Sequence, residues 1–343
     1  MLMVTIKDVA EKAGVNPSTV SRALKGSSSI SQKTKEKVKK AMSDLGYVPN
    51  LAAQMLASGL TYSVGVVLPP LITPDRASDP FFMEILTAIN DEARENDFTV
   101  SIATSDTITE LKEQVQLMHR QKRVDGFIVL YSEEDDPVRN FLMKNKIPFV
   151  IVGAPVAYSN ETTYIDNDNQ LMAKTAVDYL YQMGHERILF VTNDQESEIF
   201  LERYIGYQKG IVKLKLPSFD SLLFDHRDPE VLEQFITEIK NNRITGLVVI
   251  GDVLSVKIIQ LLSYHGIKVP DDVSIVSFNN STYAKIFHPY LTTFDINVNS
   301  LGRTSLRQLL AIIKHQEQNE KVIVPFTLKK RESVRNIKGT EKS

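Results

Sequence analysis

Apolar residues recur with helical spacing at the start of the chain. Four of them stand at i, i+3, i+4 and i+7 and so share one face of a short helix: Ile6, Val9, Ala10 and Ala13. Thr5 precedes them and Asp8 follows three residues later, a spacing typical of a capping box. Gly14 comes next, and glycine adopts the left-handed conformation that ends a helix at little steric cost. The pattern predicts a first helix over residues 6–13.

A second helix is predicted directly after this glycine. Asn16 is a suitable N-cap, and Pro17 fits the first turn because its missing N–H has no helical partner there. The pattern assigns three apolar residues to the buried face: Val20, Ala23 and Leu24. The outer face then carries Pro17, Ser18, Ser21 and Arg22. Gly26 ends the helix.

A third helix is predicted between Ser31, its N-cap, and Gly46. Its inward residues are Val38, Ala41, Met42 and Leu45, and its outward lysines are Lys33, Lys35, Lys37, Lys39 and Lys40. Two short helices joined by a glycine turn and braced by a third are typical of a helix-turn-helix. Its second helix can enter a DNA major groove. A small helical bundle without a DNA role is the alternative, which the basic charge and polar outer face disfavour.

The segment that follows, residues 47–59, is unusual for a linker. Three of its residues form a small apolar face that nothing local covers: Leu51, Met55 and Leu56. A helix this short is marginal by itself, so we expect it to order only on a partner. DNA is the favoured partner, because an apolar side chain can wedge between base steps in the minor groove.

The pattern changes from Tyr62 onward, where β-branched runs alternate with helical periodicity. The first set of predicted strands is Val64–Leu68, Thr99–Ala103, Gly126–Leu130 and Phe149–Gly153. The second set is Ile188–Thr192, Leu222–Phe224, Leu247–Ile250 and Ser274–Phe278. Alternating strands and helices predict an α/β body with doubly wound parallel sheets. Two consecutive sets predict two similar lobes, with ligands bound at the carboxyl ends of the strands.

The charge distribution separates the two ends of the 343-residue chain. The whole chain has a formal net charge of -2, but residues 1–60 carry nine Lys/Arg and four Asp/Glu. A basic end on an acidic body indicates phosphate binding by that end. Cysteine is absent, which excludes disulfides and thiolate metal sites. With no apolar run long enough to span a bilayer, we expect a cytoplasmic protein without a membrane partner.

Sequence motifs for catalysis are missing. The chain has no P-loop spacing, no G-x-S-x-G and no H-E-x-x-H, and its six histidines are scattered. We therefore expect a protein that is not an enzyme and that needs no cofactor or metal.

The first sixty residues resemble the headpiece and hinge helix of the LacI/GalR family of bacterial repressors. The similarity rests on VTIKDVAEKAGVNPSTVSRALKG followed by GYVPNLAAQMLASG. It implies a headpiece over residues 1–46 and a hinge helix over residues 47–60. It also implies DNA-binding roles for Thr5, Asn16, Pro17, Ser18, Thr19, Ser21, Arg22, Tyr47, Asn50, Ala53 and Leu56. Among these, Leu56 takes the position of the family's minor-groove leucine wedge.

The rest of the chain, residues 61–343, resembles the effector domain of the same family, which is similar to periplasmic sugar-binding proteins. The similarity rests on segments such as Asp79-Pro80-Phe81-Phe82 and Arg203-Tyr204-Ile205-Gly206-Tyr207. It implies one lobe of residues 61–160 and 293–324 and a second lobe of residues 161–292 and 325–340. It also implies dimerisation through this domain.

Five residues are expected to bind the effector between the lobes. Arg203 matches the family's effector-clamping arginine, whose guanidinium suits vicinal hydroxyls or a carboxylate. Asp252 and Asn279 each follow a predicted strand, where relatives carry polar ligand-binding residues. Phe81 and Phe82 can offer an aromatic face to a sugar ring, although we expect at least one of them in the core.

Three segments most resemble the maltose-operon repressors of Gram-positive bacteria: Ser277-Phe278-Asn279-Asn280-Ser281, Ile165-Asp166-Asn167-Asp168-Asn169 and Phe294-Asp295-Ile296-Asn297. The resemblance implies a homodimeric repressor that leaves double-stranded operator DNA when it binds maltose or a related α-glucoside. Two alternatives stay open. One is a regulator that needs a corepressor or a phosphocarrier protein to bind DNA. The other is a sugar-binding or sugar-metabolising protein whose basic N-terminus is incidental.

Overall fold

The structure is a computed structural model. It describes residues 4–24, 27, 29–47, 55–56, 58–70, 79–133, 135–155, 160–315 and 320–338. The chain forms two compact units, Met1–Thr61 and Tyr62–Ser343.

The helices are distributed over both units. Their bounds are α1 (Ile6–Ala13), α2 (Pro17–Leu24), α3 (Gln32–Leu45), α4 (Pro80–Glu95), α5 (Ile108–Arg120), α6 (Pro137–Lys144), α7 (Asn169–Gln182), α8 (Glu198–Leu214), α9 (Pro229–Asn241), α10 (Asp252–Tyr264), α11 (Tyr283–Ile286) and α12 (Val298–Ile313). None of the helices in the described part of the chain is long and apolar enough to cross a membrane.

The strands of the described residues lie in the second unit. They are β1 (Ser63–Val67), β2 (Thr99–Ala103), β3 (Phe127–Val129), β4 (Phe149–Val152), β5 (Tyr164–Asp166), β6 (Ile188–Thr192), β7 (Leu222–Leu223), β8 (Gly246–Val249), β9 (Ser274–Phe278), β10 (Thr292–Asp295), β11 (Lys321–Ile323) and β12 (Thr327–Lys329).

In the first unit, the described helices α1, α2 and α3 form a headpiece whose core consists of small and β-branched residues: Val9, Ala10, Val20, Val38 and Ala41. The predicted capping box is present, since the Asp8 carboxylate accepts hydrogen bonds from the backbone N–H and the hydroxyl of Thr5, each at 2.7 Å. Gly14 ends α1 with φ of 66°, in the left-handed region that favours glycine. The Ser31 hydroxyl caps α3, as the sequence pattern predicts.

The prediction that Leu24 is buried is wrong, because its side chain is 38% exposed. Leu24 is the last residue of α2, one turn beyond Val20, and Val20 occupies the core position. The predicted stop at Gly26 lies outside the described residues.

The second unit contains two six-stranded sheets. The first has the order β11-β5-β4-β3-β1-β2, and all of its pairs are parallel. The second has the order β12-β10-β9-β8-β6-β7, and here β12 pairs antiparallel to β10. The α/β fold class with two parallel-sheet lobes is confirmed, apart from this one antiparallel edge strand.

The chain crosses between the lobes later than the sequence predicts at two places. Residues 164–166 pair with β4 in the first sheet, although the prediction ends that lobe at residue 160. Residues 292–295 pair with β9 in the second sheet, although the prediction begins the return to the first lobe at residue 293. Both errors have one cause: a short strand has no local sequence signal that tells which sheet it joins.

The last described residues run along the second lobe. The Arg335 N–H donates to the Ser274 hydroxyl at 3.0 Å, and its carbonyl lies 3.0 Å from Nε2 of the buried His185. The Ile337 N–H donates to the carbonyl of Met183 at 2.8 Å. These bonds attach residues 332–338, the C-terminal strap, to the lobe surface.

Helices α7 and α8 pack closely at Gly206. A Cβ built on Gly206 would lie 2.6 Å from the Cα of Gln170, which belongs to the backbone of α7. Backbone atoms cannot move aside as the end of a flexible side chain can. The absence of a side chain at Gly206 therefore sets the distance between the two helices.

Gly206→Ala is expected to lower the free energy of unfolding of the second unit by about 3 kcal/mol, because α8 must move off α7. Gly246→Ala is the matched control: its Cβ would meet His185 Cβ and Leu180 Cδ1 at 3.4 Å, an ordinary contact. Urea unfolding followed by circular dichroism compares the two variants. Equal losses in both would refute the close-packing argument.

Candidate functional site

The outer face of α2 is open to solvent. Asn16, Pro17, Ser18 and Arg22 are all exposed. Thr19 and Ser21 are half-buried, so their hydroxyls lie nearer the body of the headpiece. The buried Val20 turns this face outward, because it anchors the opposite side of the helix in the core. Arg22 is the long donor of this face, suited to a base edge or a phosphate.

Thr5 and Tyr47 are predicted to contact DNA, and both have roles inside the headpiece. The Thr5 hydroxyl donates a hydrogen bond to the Asp8 carboxylate, and the hydrogen bonds from Thr5 lower the pKa of that carboxyl. A phosphate oxygen is an acceptor, so contact with Thr5 requires this bond to break. Tyr47 is half-buried and packs against the headpiece core.

Leu56 is the most exposed large apolar side chain in the described part of the chain, at 91%. Met55 and Leu56 are helical, and the Gly59 N–H donates to the Met55 carbonyl at 2.9 Å. An exposed leucine on a helical turn is available to insert between base steps. The other two predicted hinge contacts, Asn50 and Ala53, lie outside the described residues.

Arg203 lies at the carboxyl ends of the second-lobe strands and is almost completely buried, with 2% exposure. Its Nε donates to Asn169 Oδ1 at 3.0 Å, and its Nη1 donates to the Ile250 carbonyl at 2.6 Å. The guanidinium carbon sits 4.1 Å from the centre of the Phe278 ring. A guanidinium has five N–H donors, and these two are the ones bonded to other described residues.

Carboxyl groups surround this guanidinium. Burial lowers the pKa of Arg203 to about 10, and the nearby Asp166, Asp252 and Asp79 oppose that change. The residue therefore stays charged at neutral pH. Burial raises the pKa of all three carboxyls, and the positive charge of Arg203 lowers that of Asp79 and Asp166.

Asp252 points into the second lobe. Its carboxylate accepts hydrogen bonds from the Ser277 hydroxyl, the Thr293 hydroxyl at 2.8 Å and the Ser281 N–H at 2.7 Å. These donors belong to β9, β10 and the turn between them. The main work of Asp252 is to hold this turn in place.

Asn279 follows β9 with φ of 101°, in the region that disfavours side chains. Its backbone N–H donates to the Phe294 carbonyl at 2.9 Å, while its side-chain amide makes no hydrogen bond to another described residue. The next residue differs, since Asn280 bonds to Asp295 and to Arg331. Asn279 therefore has a half-buried amide that no other described residue binds, and a strained backbone conformation holds it in place.

Phe81 and Phe82 begin α4 in the first lobe. Both are half-buried and pack against the main core, with their ring centres 5.5 Å apart at 75°. Each ring thus has one side in the core and part of its surface outside it. Asp79 caps this helix through the Phe81 N–H at 3.0 Å.

Comparison with known proteins identifies the family. The model of bacterial regulatory proteins of the lacI family matches residues 5–50, and that of the periplasmic-binding-protein-like domain matches residues 177–334. The HTH-type transcriptional regulator MalR of Staphylococcus xylosus is 31% identical over 98% of this chain and 99% of its own. The chain belongs to the LacI family.

Two solved structures show the same fold over nearly the whole length. The complex of the transcriptional regulator CelR with cellobiose covers 96% of this chain and 99% of that chain, at a TM-score of 0.73 and 25% identity. The Lac repressor dimer bound to operator and the anti-inducer ONPF covers 97% and 99%, at a TM-score of 0.72 and 25% identity.

Family membership makes this chain a DNA-binding transcriptional regulator and not an enzyme, as its sequence predicts. The resemblance to the maltose-operon branch is also confirmed, because MalR proteins of Gram-positive bacteria are among its relatives. LacI-family regulators bind operator DNA and sugar effectors and act as dimers.

Sequence motifs predict no role for the residues at the crossings between the lobes of this LacI-family chain. Asn167 is buried there, and its Nδ2 donates to the Ile296 carbonyl at 3.0 Å and to the Val324 carbonyl at 2.9 Å. One amide therefore joins all three crossing segments. The neighbouring Asp166 accepts from the Ala154 N–H at 2.9 Å and from Asn169 Nδ2 at 3.1 Å. These six residues form the floor beneath the cleft.

The pattern Ile165-Asp166-Asn167-Asp168-Asn169 contains the only sequence signal for this floor. Polar residues directly after a short β-branched strand are common in turns as well. The two carbonyls that Asn167 binds are more than 120 residues away in the chain, so local sequence cannot reveal them.

Asn167→Ala is expected to lower the free energy of unfolding of the second unit by about 2–4 kcal/mol, since two carbonyls lose their donor. Asn90→Ala, at an exposed position on α4, is the control and should have no effect. Urea unfolding midpoints measure both. A change in Asn167→Ala no larger than in Asn90→Ala would show that the crossings do not depend on this amide.

Proposed function

We propose that this LacI-family regulator represses a sugar-utilisation operon and leaves its operator when a neutral sugar, maltose or a maltodextrin, binds between the lobes. Two headpieces of a homodimer bind a pseudo-palindromic site, with the hinge helices in its minor groove. The proposal that the effector is a sugar rests on Arg203. Its buried guanidinium has carboxyl groups nearby and N–H donors that bind no other described residue. The headpiece supports the DNA part.

The exposed side chains on the outer face of α2 support direct recognition of operator bases. Pro17 and Ser18 stand where family members select operators, and neither has a long donor that binds guanine with two hydrogen bonds. Arg22 is exposed on the same face and has such a donor. We therefore assign more of the base readout to Arg22, and phosphate binding to Thr19 and Ser21.

The charges around the cleft favour a neutral ligand over an anionic one. Five carboxyl groups interact with one another or with Arg203: Asp79, Glu84, Asp166, Asp252 and Asp295. The cations near them among the described residues include Arg203, Lys285, Lys329 and Arg331. Carboxylates accept hydrogen bonds from hydroxyls, whereas a phosphate would add to the negative surplus. A polyol fits this site better than a sugar phosphate does.

Release follows from the instability of the hinge. A ligand shifts a conformational equilibrium only by its different affinity for the two states. A sugar that contacts both lobes favours their closed arrangement, which we propose separates the paired hinge segments. Each segment is marginal without its partner and DNA, so it then melts and Leu56 leaves the minor groove.

Leu56→Ala is expected to weaken operator binding roughly 10-fold or more, because the wedge loses its apolar side chain. Sugar affinity should stay unchanged. The operator is a duplex selected from a random pool by the wild-type chain, and fluorescence anisotropy measures its dissociation constant.

Leu117→Ala on α5 is the control, since Leu117 is also apolar and 47% exposed but belongs to the second unit. It should bind the operator as the wild type does. Unchanged operator affinity in Leu56→Ala would exclude the wedge. Absence of any sequence preference over random duplex in the wild type would exclude the regulator itself, whatever sugar it binds.

Maltose or maltotriose is expected to raise the melting temperature of the wild-type chain and to release the operator, whereas glucose 6-phosphate should do neither. A ligand at 100 times its dissociation constant stabilises the native state by about 2.7 kcal/mol. Differential scanning fluorimetry and operator anisotropy supply the two measurements.

Asn279→Gly sharpens this test. Glycine accepts the φ of 101° without strain, so the unliganded protein should melt at the wild-type temperature or slightly above it. The shift caused by the sugar should shrink because the amide is gone. Stronger operator binding in the presence of glucose 6-phosphate would instead support a corepressor-dependent regulator.

A further inference from the structure

His185 differs from the other histidines of the chain because its side chain is buried. The other five are all exposed: His119, His226, His265, His288 and His315. His185 lies between α7 and β6 and is only 2% exposed. Histidine is the side chain whose charge ordinarily changes between pH 5 and 8, so its burial makes the fold around it depend on pH.

The two ring nitrogens of His185 have different surroundings. Nε2 lies 3.0 Å from the carbonyl oxygen of Arg335. A carbonyl oxygen only accepts, so Nε2 carries the proton and Nδ1 is left as a bare acceptor. Nδ1 is buried, and no described residue donates a hydrogen bond to it. The site therefore fits the neutral ring in one tautomer.

The carbonyl that His185 binds belongs to the C-terminal strap, which passes over the end of α7. A Cβ built on Gly184 would lie 2.8 Å from the backbone nitrogen of Lys338, so the strap occupies the space above this glycine. The Ile337 N–H donates to the Met183 carbonyl at 2.8 Å. His185 follows these two residues, and its ring adds a side-chain hydrogen bond to the same contact.

The charged groups around the ring do not compensate for a positive charge on it. They are Arg335 and Lys338 on the strap, Glu186 and Arg187 at the start of β6, and Asp271, which pairs with Arg335 at 3.2 Å. From β8, the uncharged Gly246 faces His185. Among the described residues no carboxylate forms an ion pair with His185, and burial lowers the pKa of its ring.

We propose that His185 is a pH-sensitive latch for the C-terminal strap: the neutral ring holds residues 335–338 on the second lobe, and protonation releases them. A proton on Nδ1 creates a buried donor that meets no acceptor. The charged ring becomes stable only when the strap lifts and water reaches it. The first histidine of the chain is His119, so the headpiece contains no such group. The latch goes beyond the proposed function, because it makes the second unit sensitive to acid whatever effector it binds.

The folded chain binds a proton at His185 less readily than the unfolded chain does, whose histidine titrates near the ordinary pKa of 6.5. The stabilisation by the neutral ring is therefore complete above pH 6.5 and is lost as the pH falls below that value. A single proton changes the unfolding equilibrium constant by at most about 10-fold per pH unit.

His185→Gln tests the latch in the full-length chain. The amide nitrogen of glutamine takes the place of Nε2 and donates to the Arg335 carbonyl, but it cannot gain a proton. Urea unfolding of the second unit is measured at about pH 7.5 and about pH 5.5. Between these values, the unfolding equilibrium constant of the wild type should rise about 5-fold more than that of His185→Gln. His265→Gln, at an exposed position just after α10, is the control and should follow the wild type.

Hydrogen exchange locates the released segment. At about pH 5.5 the Ile337 N–H should exchange several-fold faster in the wild type than in His185→Gln. The Ile275 N–H, which donates to the Ser333 carbonyl at 2.7 Å nearer the start of the strap, should exchange equally in both.

Nitrogen-15 NMR of the histidines tests the wild-type ring directly, with His185→Gln to assign its signal. The ring should carry its proton on Nε2 at neutral pH and titrate below its ordinary pKa of 6.5.

Three results would overturn the latch. The first is an equal pH dependence of unfolding in the wild type and His185→Gln. The second is a neutral ring with its proton on Nδ1, or a ring that titrates at or above 6.5. The third is equal exchange of the Ile337 N–H in the two proteins at acid pH, which would show that protonation leaves the strap in place.

Discussion

The two hydrogen bonds of the Asn167 amide are the constraint on which the rest of the second unit depends. The chain crosses between the lobes three times, and this single side chain donates to a carbonyl on each of the other two crossings. Three backbones held at one point allow the lobes to rotate about it but not to slide past each other. The neighbouring Asp166 and Asn169 extend the same network to Arg203. The crossings between the lobes and the Arg203 guanidinium are therefore parts of one connected structure.

The network around Arg203 also determines how its buried charge is stabilised. Burying a guanidinium is unfavourable unless nearby groups compensate for the lost water. Here the compensation comes from a carbonyl, an amide oxygen, an aromatic face and carboxyls at some distance. None of these neutralises Arg203 by direct pairing, so its remaining donors stay available. A directly paired arginine would have bound its own carboxylate more strongly than any sugar.

Local signals were enough to predict the headpiece, whereas much of the cleft depends on distant residues. The capping box of Thr5 and Asp8 and the caps at Gly14 and Ser31 are short-range features, and each is present. Leu24 was misassigned because helical periodicity does not reveal where a helix end leaves the core. The lobe boundaries and the antiparallel β12 were missed because strand partners are set by tertiary packing. Likewise, the inward direction of Asp252 depends on Thr293, 41 residues away.

The discontinuity of the lobes sets the order in which the chain can complete its structure. The first sheet needs β11 and the second needs β12 and the C-terminal strap, all of which lie after residue 320. During synthesis from the N-terminus, neither lobe has its full set of strands until the last segment has left the ribosome. The headpiece has all of its core before residue 48. The DNA-reading part of a new chain can thus fold while the sugar-sensing part is still incomplete.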